Sequence, residues 1–209
     1  MPGRIIETEA CVAEGAAWLA ARDPRFAALL NETGPLPLRR RPDGFAALLD
    51  AILGQQVSTA SAAALRVRME AAGLVTESAV AAASGDVLRA CGLSRQKIRY
   101  AHALARAGID YDALRNRPDA EVIATLTALP GIGRWTAEVY ALISLGRADV
   151  FAPGDLALQE AARLLFDLPD RPSERVLRAM AEDWSPWRAV AARALWAYYR
   201  ARRSREGIR

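Results

Sequence analysis

The residues whose types and spacing are best suited to chemistry are a glycine-rich turn, residues 129–136, and a carboxylate downstream of it. Gly131 and Gly133 follow a proline that ends the preceding helical pattern, and they permit backbone angles that other residues resist. A new helix is expected from about Arg134, and the first N–H groups of a helix can bind an anion such as a phosphate. Asp155 is expected at another helix start, after a Pro-Gly pair. These features favour a protein that holds a nucleic-acid backbone and does chemistry beside it.

Asp155 has a purely structural alternative, because aspartate is a favoured N-cap and a helix is expected to begin at Leu156. Its position after the glycine-rich turn favours the catalytic interpretation. Asp149 is the competing carboxylate, and we interpret it as a solvated loop residue.

The elements that must position these residues are predicted to be helices. Apolar residues recur at steps of three and four, as at Phe45, Leu48, Leu49 and Ile52. N-cap candidates precede several such segments: Asp23, Ser58, Ser94 and Ser173. No stretch alternates clearly enough to predict a strand. The sequence therefore predicts an all-α protein of about ten helices joined by short loops.

Composition is that of a globular protein, with 52% hydrophobic and 25% charged residues. Charged residues interrupt every apolar run before it reaches the length of a membrane span. Residues 1–4 lack the apolar stretch of a signal peptide, so we expect a cytoplasmic protein with no membrane partner. The formal net charge of +4 permits nucleic-acid binding but is weak evidence for it.

Cysteine and lysine are both scarce. Cys11 and Cys91 are too few and too far apart for a metal knuckle or a disulfide framework. Lys97 is the only lysine among 28 lysines and arginines, and arginine cannot act as a Schiff-base amine.

Five segments carry a family resemblance. Residues 129–136 resemble the helix–hairpin–helix, and residues 153–155 the Gly/Pro-rich segment and aspartate, of the helix–hairpin–helix DNA glycosylases. Three further segments resemble the 3-methyladenine DNA glycosylase II branch: the wedge segment at residues 52–58, the Gly-Leu-Ser turn at 91–97 and the Asp-Trp-Ser-Pro-Trp-Arg helix start at 183–188.

The resemblance implies two helical lobes with an interlobe cleft that holds the active site. One lobe combines residues 1–42 with 151–209. The other is a central six-helix lobe, residues 43–150, which contains the helix–hairpin–helix at about 121–146.

The resemblance also implies a monofunctional DNA glycosylase that flips alkylated bases, of the 3-methyladenine and 7-methylguanine type, and excises them hydrolytically in base excision repair. Asp155 would stabilise the positive charge that develops on the sugar. The expected partner is double-stranded DNA with damaged bases, and the expected state is a monomer. Two alternatives stay open: a related glycosylase for deaminated, oxidised or mismatched bases, and a non-catalytic helix–hairpin–helix DNA-binding protein.

Aromatic residues are the candidates for the base pocket. Trp135 stands where bifunctional relatives carry their Schiff-base lysine, so it can stack on a flipped base but cannot form an imine. Tyr140 and Trp196 are further candidates, because electron-rich rings favour cationic alkylated bases. Val139 stands where bacterial relatives have a tyrosine, which implies a pocket of different shape. The alternative for these rings, and for the other tryptophans, is packing in the core.

The remaining candidates concern DNA and ions. Gln55 and Gln56 resemble residues that fill the gap left by a flipped base, the alternative being a polar helix end. The predicted phosphate-binding residues are Gly131, Gly133, Arg134 and Thr136, with Arg95 and Lys97 as further contacts. No cofactor is expected to be required and no iron–sulfur cluster is expected. The resemblance allows a structural Na⁺ or K⁺ on backbone carbonyls of the hairpin: Leu129, Gly131 and Ile132.

Overall fold

The computed structural model describes residues 3–205, and within that range it is built from helices, as predicted. Thirteen α-helices occur there: α1 Glu9–Arg22, α2 Pro24–Thr33, α3 Phe45–Gly54, α4 Thr59–Ala71, α5 Glu77–Ala82, α6 Gly85–Ala90, α7 Arg95–Ala105, α8 Tyr111–Arg115, α9 Asp119–Thr127, α10 Arg134–Ile143, α11 Leu156–Leu165, α12 Glu174–Met180 and α13 Arg188–Arg205. A 3₁₀ turn at Ala181–Trp184 joins α12 to α13. The count exceeds the predicted ten because helices of five or six residues, such as α5, α6 and α8, are too short to show a periodic pattern.

None of these helices, in the part of the chain that the structure describes, is both long and apolar enough to cross a membrane.

The described chain divides into two compact units. The first is Arg41–Tyr140, and the second combines residues 3–40 with residues 141–205. Residues 141–150, which the sequence analysis assigned to the central lobe, fall in the second unit because backbone hydrogen bonds join them to the N-terminal segment. The Ile6 N–H donates to the Gly146 carbonyl at 2.7 Å, and the Ala148 N–H donates to the Arg4 carbonyl at 3.0 Å. The outer ends of the predicted terminal lobe, residues 1–2 and 206–209, lie outside the described residues.

The first unit is organised around α3 and α7. Helix α3 contacts both α4 and α7, and α7 also contacts α5 and α6. The periodic apolar residues predicted for α3 are buried, and Ile52 and Leu48 have no exposed surface. Predicted caps fix two helix starts: the side chains of Ser58 and Ser94 accept from the N–H groups of Ser61 and Lys97. The wedge segment therefore ends at the capped start of α4, and α7 begins at a second cap.

The second unit packs around α13, which contacts α1, α2 and α11. Its core holds an aromatic cluster centred on Trp184, whose ring lies 5.3 Å from Phe151, 5.7 Å from Phe26 and 5.9 Å from Phe166. Trp187 is also buried. For Trp184 and Trp187 the core alternative is therefore the correct one.

Candidate active site

The glycine-rich turn joins α9 to α10 in the first unit. It is closed by a hydrogen bond from the Ile132 N–H to the Leu129 carbonyl at 3.1 Å. Gly131 has a φ of +91°, which side chains rarely adopt, and an added Cβ would lie 2.3 Å from Cγ of Tyr100. Gly133 has no such angle, and a Cβ there would meet nothing within 4 Å. The expectation that both glycines supply unusual backbone angles is therefore wrong for Gly133.

The first turn of α10 presents two large exposed side chains. Trp135 is 46% exposed. The Arg134 side chain is also exposed, and its Nε donates to Oε1 of Glu138 at 2.9 Å. Glu138 itself is buried, as is Thr136. Sequence reasoning missed Glu138, although its spacing of four residues from Arg134 is the spacing of a helical ion pair.

Tyr140 has a structural task that the sequence does not reveal. Its ring is 5% exposed, and its hydroxyl accepts a hydrogen bond from the backbone N–H of Gly44 at 2.9 Å. Gly44 is the N-cap of α3, where backbone N–H groups lack helical partners. Burial raises the pKa of Tyr140 to about 12, so the hydroxyl stays protonated in the physiological range. Tyr140 thus supports the start of the helix that leads to the wedge segment.

The two wedge glutamines lie in different environments. Gln55 is half-buried, and its Nε2 donates to the carbonyl of Gly131 at 2.7 Å. Gln56 is exposed and has a φ of +55°. The carbonyl of Gly131, which the resemblance assigned to a cation, thus has an N–H donor as its partner. A carbonyl oxygen has two lone pairs, so the cation on the carbonyls of Leu129, Gly131 and Ile132 stays a prediction.

Lys97 does not serve as the predicted phosphate contact. It is buried, and its Nζ donates to the carbonyl of Leu53 in the last turn of α3 at 2.5 Å. Burial lowers the pKa of this amine. An ammonium that binds a carbonyl at a helix C-terminus is favoured by the helix dipole. Arg95, at the start of α7, is exposed and stays a candidate phosphate contact.

Asp155 lies in the second unit at the start of α11. The turn before it is closed by the Asp155 N–H, which donates to the Ala152 carbonyl at 3.0 Å, with Pro153 and Gly154 between them. The Asp155 side chain caps α11, and its Oδ1 accepts from the N–H groups of Ala157 at 3.0 Å and Leu158 at 3.1 Å. Asp155 is therefore the N-cap of α11, as the structural alternative predicted. The same hydrogen bonds fix the orientation of the carboxylate, which the catalytic interpretation requires.

Trp196, on α13 of the same unit, completes the surroundings of Asp155. Its indole Nε1 lies 3.3 Å from Oδ1 of Asp155 and donates to it. The guanidinium of Arg39 lies 5.5 Å from the centre of the Trp196 ring. Gln159 is a further residue that sequence reasoning missed: its buried Nε2 donates to the Pro153 carbonyl at 2.8 Å and ties α11 to the turn. Trp196 and Asp155 thus form one contact pair.

Asp149, the competing carboxylate, is not a solvated loop residue. Its Oδ2 accepts from the hydroxyl of Ser185 at 2.9 Å, and its Oδ1 lies 3.6 Å from Nε of Arg188. Both partners belong to the start of α13 and the loop before it. The carboxylate of Asp149 is thereby committed to the fold of the second unit.

The family described as "HhH-GPD superfamily base excision DNA repair protein" matches residues 49–186, about two thirds of the chain. The matched range includes the wedge glutamines, the glycine-rich turn and Asp155. The chain belongs to this family.

Individual relatives of this HhH-GPD protein agree with that result. It is 28% identical over 181 residues to DNA-3-methyladenine glycosylase 1 of Schizosaccharomyces pombe, covering 82% of this chain and 79% of the relative. A structure of 3-methyladenine DNA glycosylase from that yeast with abasic DNA matches with a TM-score of 0.77 at 28% identity, covering 88% of this chain and 95% of the other. A DNA-3-methyladenine glycosidase from Bacillus halodurans matches with a TM-score of 0.81 at 29% identity, covering 94% and 93%.

The two glycines of the HhH-GPD turn give a matched stability test. We expect Gly131→Ala to lower the free energy of unfolding by about 2 kcal/mol or more, because a Cβ would combine a positive φ with a clash against Tyr100. Gly133→Ala should stay within about 0.5 kcal/mol of the wild type, since it meets open space. Urea unfolding followed by circular dichroism measures both values. Equal stability of the two variants would contradict the role assigned to Gly131.

Proposed function

We propose that this HhH-GPD protein is a monofunctional DNA glycosylase that removes alkylated bases, of the 3-methyladenine and 7-methylguanine type, from double-stranded DNA. It acts as a monomer in the cytoplasm, in base excision repair. The observation that carries the proposal is the carboxylate of Asp155, whose Oδ1 receives three hydrogen bonds, one of them from the ring of Trp196. The names of the relatives support the alkylated-base substrate class.

In the proposed reaction the bond between the sugar C1′ and the base nitrogen breaks, and its electron pair leaves with the base. Positive charge develops on the sugar, and Asp155 stabilises it electrostatically. Water then adds to C1′ and releases a proton. An alkylated purine is cationic and becomes neutral as it leaves, so the reaction needs neither a general acid nor a cofactor. Histidine is the residue that most often serves as a general acid. The only histidine, His102, is half-buried, and its Nε2 lies 3.0 Å from the Ala83 carbonyl oxygen.

Base recognition is assigned to Trp135 and Trp196. The exposure of Trp135 leaves much of its ring accessible, and the Trp196 ring is held at the carboxylate by its indole N–H. Stacking on electron-rich rings favours a cationic base over a neutral one. Tyr140 is buried and holds the N-cap of α3, so we assign it a structural role instead.

The grip on the DNA backbone is assigned to the glycine-rich turn and the first turn of α10. Open space around Gly133 allows a phosphate to approach the backbone N–H groups closely. Arg134 is exposed beside it and adds positive charge. Thr136 is buried, so its contribution to the grip is through its backbone N–H.

The first test concerns Asp155. We expect Asp155→Asn to bind DNA normally but to lose base release by about a hundredfold or more, the scale for removal of a key electrostatic stabiliser. Single-turnover release from duplexes that each carry one defined lesion measures the loss and the substrate class together. Asp149→Asn is the matched control, because the Asp149 carboxylate binds Ser185 and Arg188.

Near-normal excision by the Asp155→Asn variant would remove Asp155 from the mechanism. Faster release of a neutral lesion, such as hypoxanthine, than of both cationic bases would favour the alternative glycosylase. A wild type that binds these duplexes and releases no base would favour the non-catalytic alternative.

The second test concerns lyase chemistry. Because Trp135 stands in place of a Schiff-base lysine and the lone Lys97 is buried against Leu53, we expect intact abasic sites as products. Strand breaks should therefore appear only after alkali or an added endonuclease. A covalent enzyme–DNA adduct trapped with borohydride would contradict this prediction.

The third test concerns the phosphate grip. Gly133→Asp introduces a negative side chain into open space, so the variant should fold normally but repel a phosphate. Affinity should fall about tenfold for damaged and undamaged duplexes alike, because phosphate contacts do not depend on the base. Gly85→Asp, which adds the same charge at the start of α6 with only an ordinary contact to Ile98, is the control. Tight binding of both duplexes by Gly133→Asp would exclude the turn as the grip.

A further inference from the structure

Two adjacent and chemically identical side chains, Gln55 and Gln56, occupy the wedge segment. We propose that they have separate tasks: Gln55 is a positioning residue that ties the wedge segment to the phosphate-binding turn, and Gln56 alone enters the duplex. This proposal rests on the proposed function, since it assigns roles within the same DNA-binding surface of the first unit.

The contact that carries the proposal is the hydrogen bond from Nε2 of Gln55 to the carbonyl of Gly131, 2.7 Å long. It joins two segments that are 76 residues apart in the sequence. The Gln55 backbone N–H also donates to the Ile52 carbonyl at 3.3 Å, so both its backbone and its side chain are held within the protein. An amide that is committed in this way is a poor candidate to replace the hydrogen bonds of a flipped base.

Gln56 has the opposite properties. It is exposed, and its φ of +55° places it in a backbone conformation that costs a residue with a side chain on the order of 1 kcal/mol. The two sides of this turn are fixed, by Gln55 on one side and by Ser58, which caps α4, on the other. The positive φ of Gln56 thus lies between two hydrogen-bonded ends, and the Gln56 side chain is exposed in the turn between them.

Helix α7 contacts both of the segments that the Gln55 hydrogen bond joins, the end of α3 and the phosphate-binding turn. Lys97 donates to the Leu53 carbonyl, two residues before Gln55, and fixes the end of α3. Tyr100, three residues further along α7, packs against Gly131, where an added Cβ would lie 2.3 Å from its ring. The end of α3 and the phosphate-binding turn thus rest on one helix and are bonded to each other.

This arrangement sets the distance between the wedge and the phosphate grip before DNA binds. A wedge held in place loses little conformational entropy when it enters the duplex. Breaking the tie at Gln55 should therefore slow base release by a much larger factor than it weakens binding to undamaged DNA, because the variant keeps the backbone N–H groups that contact phosphate.

The test compares Gln55→Met, Gln56→Met and the double variant. Asn116→Met is the matched control in the same unit, because it removes an exposed amide that donates to the carbonyl of Asp112, four residues earlier. Methionine is similar in length to glutamine but has no N–H donor. We expect Gln55→Met to slow single-turnover base release from a lesion duplex by about tenfold or more, with affinity for undamaged duplex within about twofold of wild type. The double variant should be no slower than the slower single variant, because both changes disable one wedge.

Hydrogen exchange measured by mass spectrometry supplies a readout that does not need activity. Gln55→Met should raise amide exchange in residues 55–58 and 131–133 together, while Gln56→Met and Asn116→Met should not. If the wild type releases no base, the proposed function fails, and exchange still decides whether Gln55 ties the two segments. Unchanged exchange in Gln55→Met, or a double variant whose loss is the product of the two single losses, would overturn the proposal.

Discussion

Three hydrogen bonds converge on Oδ1 of Asp155, two from the first turn of α11 and one from the indole of Trp196, and the proposed chemistry depends on them. A carboxylate that stabilises transient positive charge is most effective when it need not reorient during the reaction. Here the N-cap fixes the side chain, and the preceding turn fixes the cap. Gln159 adds a buried bond to the carbonyl of Pro153 and holds that turn against α11. Capping and catalysis thus require the same geometry and are not competing explanations of this residue.

The first unit meets a different constraint, which is the space around Gly131. Its positive φ and the ring of Tyr100 leave no room for a side chain, and its carbonyl is used by Gln55. The turn therefore packs against α7 and is hydrogen-bonded to the wedge segment. The neighbouring Gly133 is left open, which suits a backbone that must be approached closely by a phosphate. Gly131 thus holds the turn in place and Gly133 leaves its backbone open to a phosphate, although the two residues are identical in the sequence.

Several polar residues that resemble DNA-binding or pocket residues instead satisfy the protein's own backbone. Lys97 binds a carbonyl at the end of α3, and Tyr140 accepts from an N–H at the start of the same helix. A buried polar group without a partner is costly. The unpaired backbone groups at helix ends inside a unit therefore form hydrogen bonds with side chains from other helices. Asp149 instead pairs with two side chains, those of Ser185 and Arg188, at the start of α13 and in the loop before it. These residues affect the proposed function only by holding the helices to which they are bonded.

The sequence by itself determined the features that depend on near neighbours: the all-α class, the N-caps such as Ser94, the turn before α10 and the cap at Asp155. Each is fixed by contacts within about four residues, which spacing and residue type reveal directly. Only the tertiary structure decided which of two adjacent glutamines is anchored, that Lys97 is buried, and that Tyr140 serves a helix 96 residues away. Those outcomes depend on donors and acceptors brought together by packing between distant helices, and a single sequence does not record which partners the packing will supply.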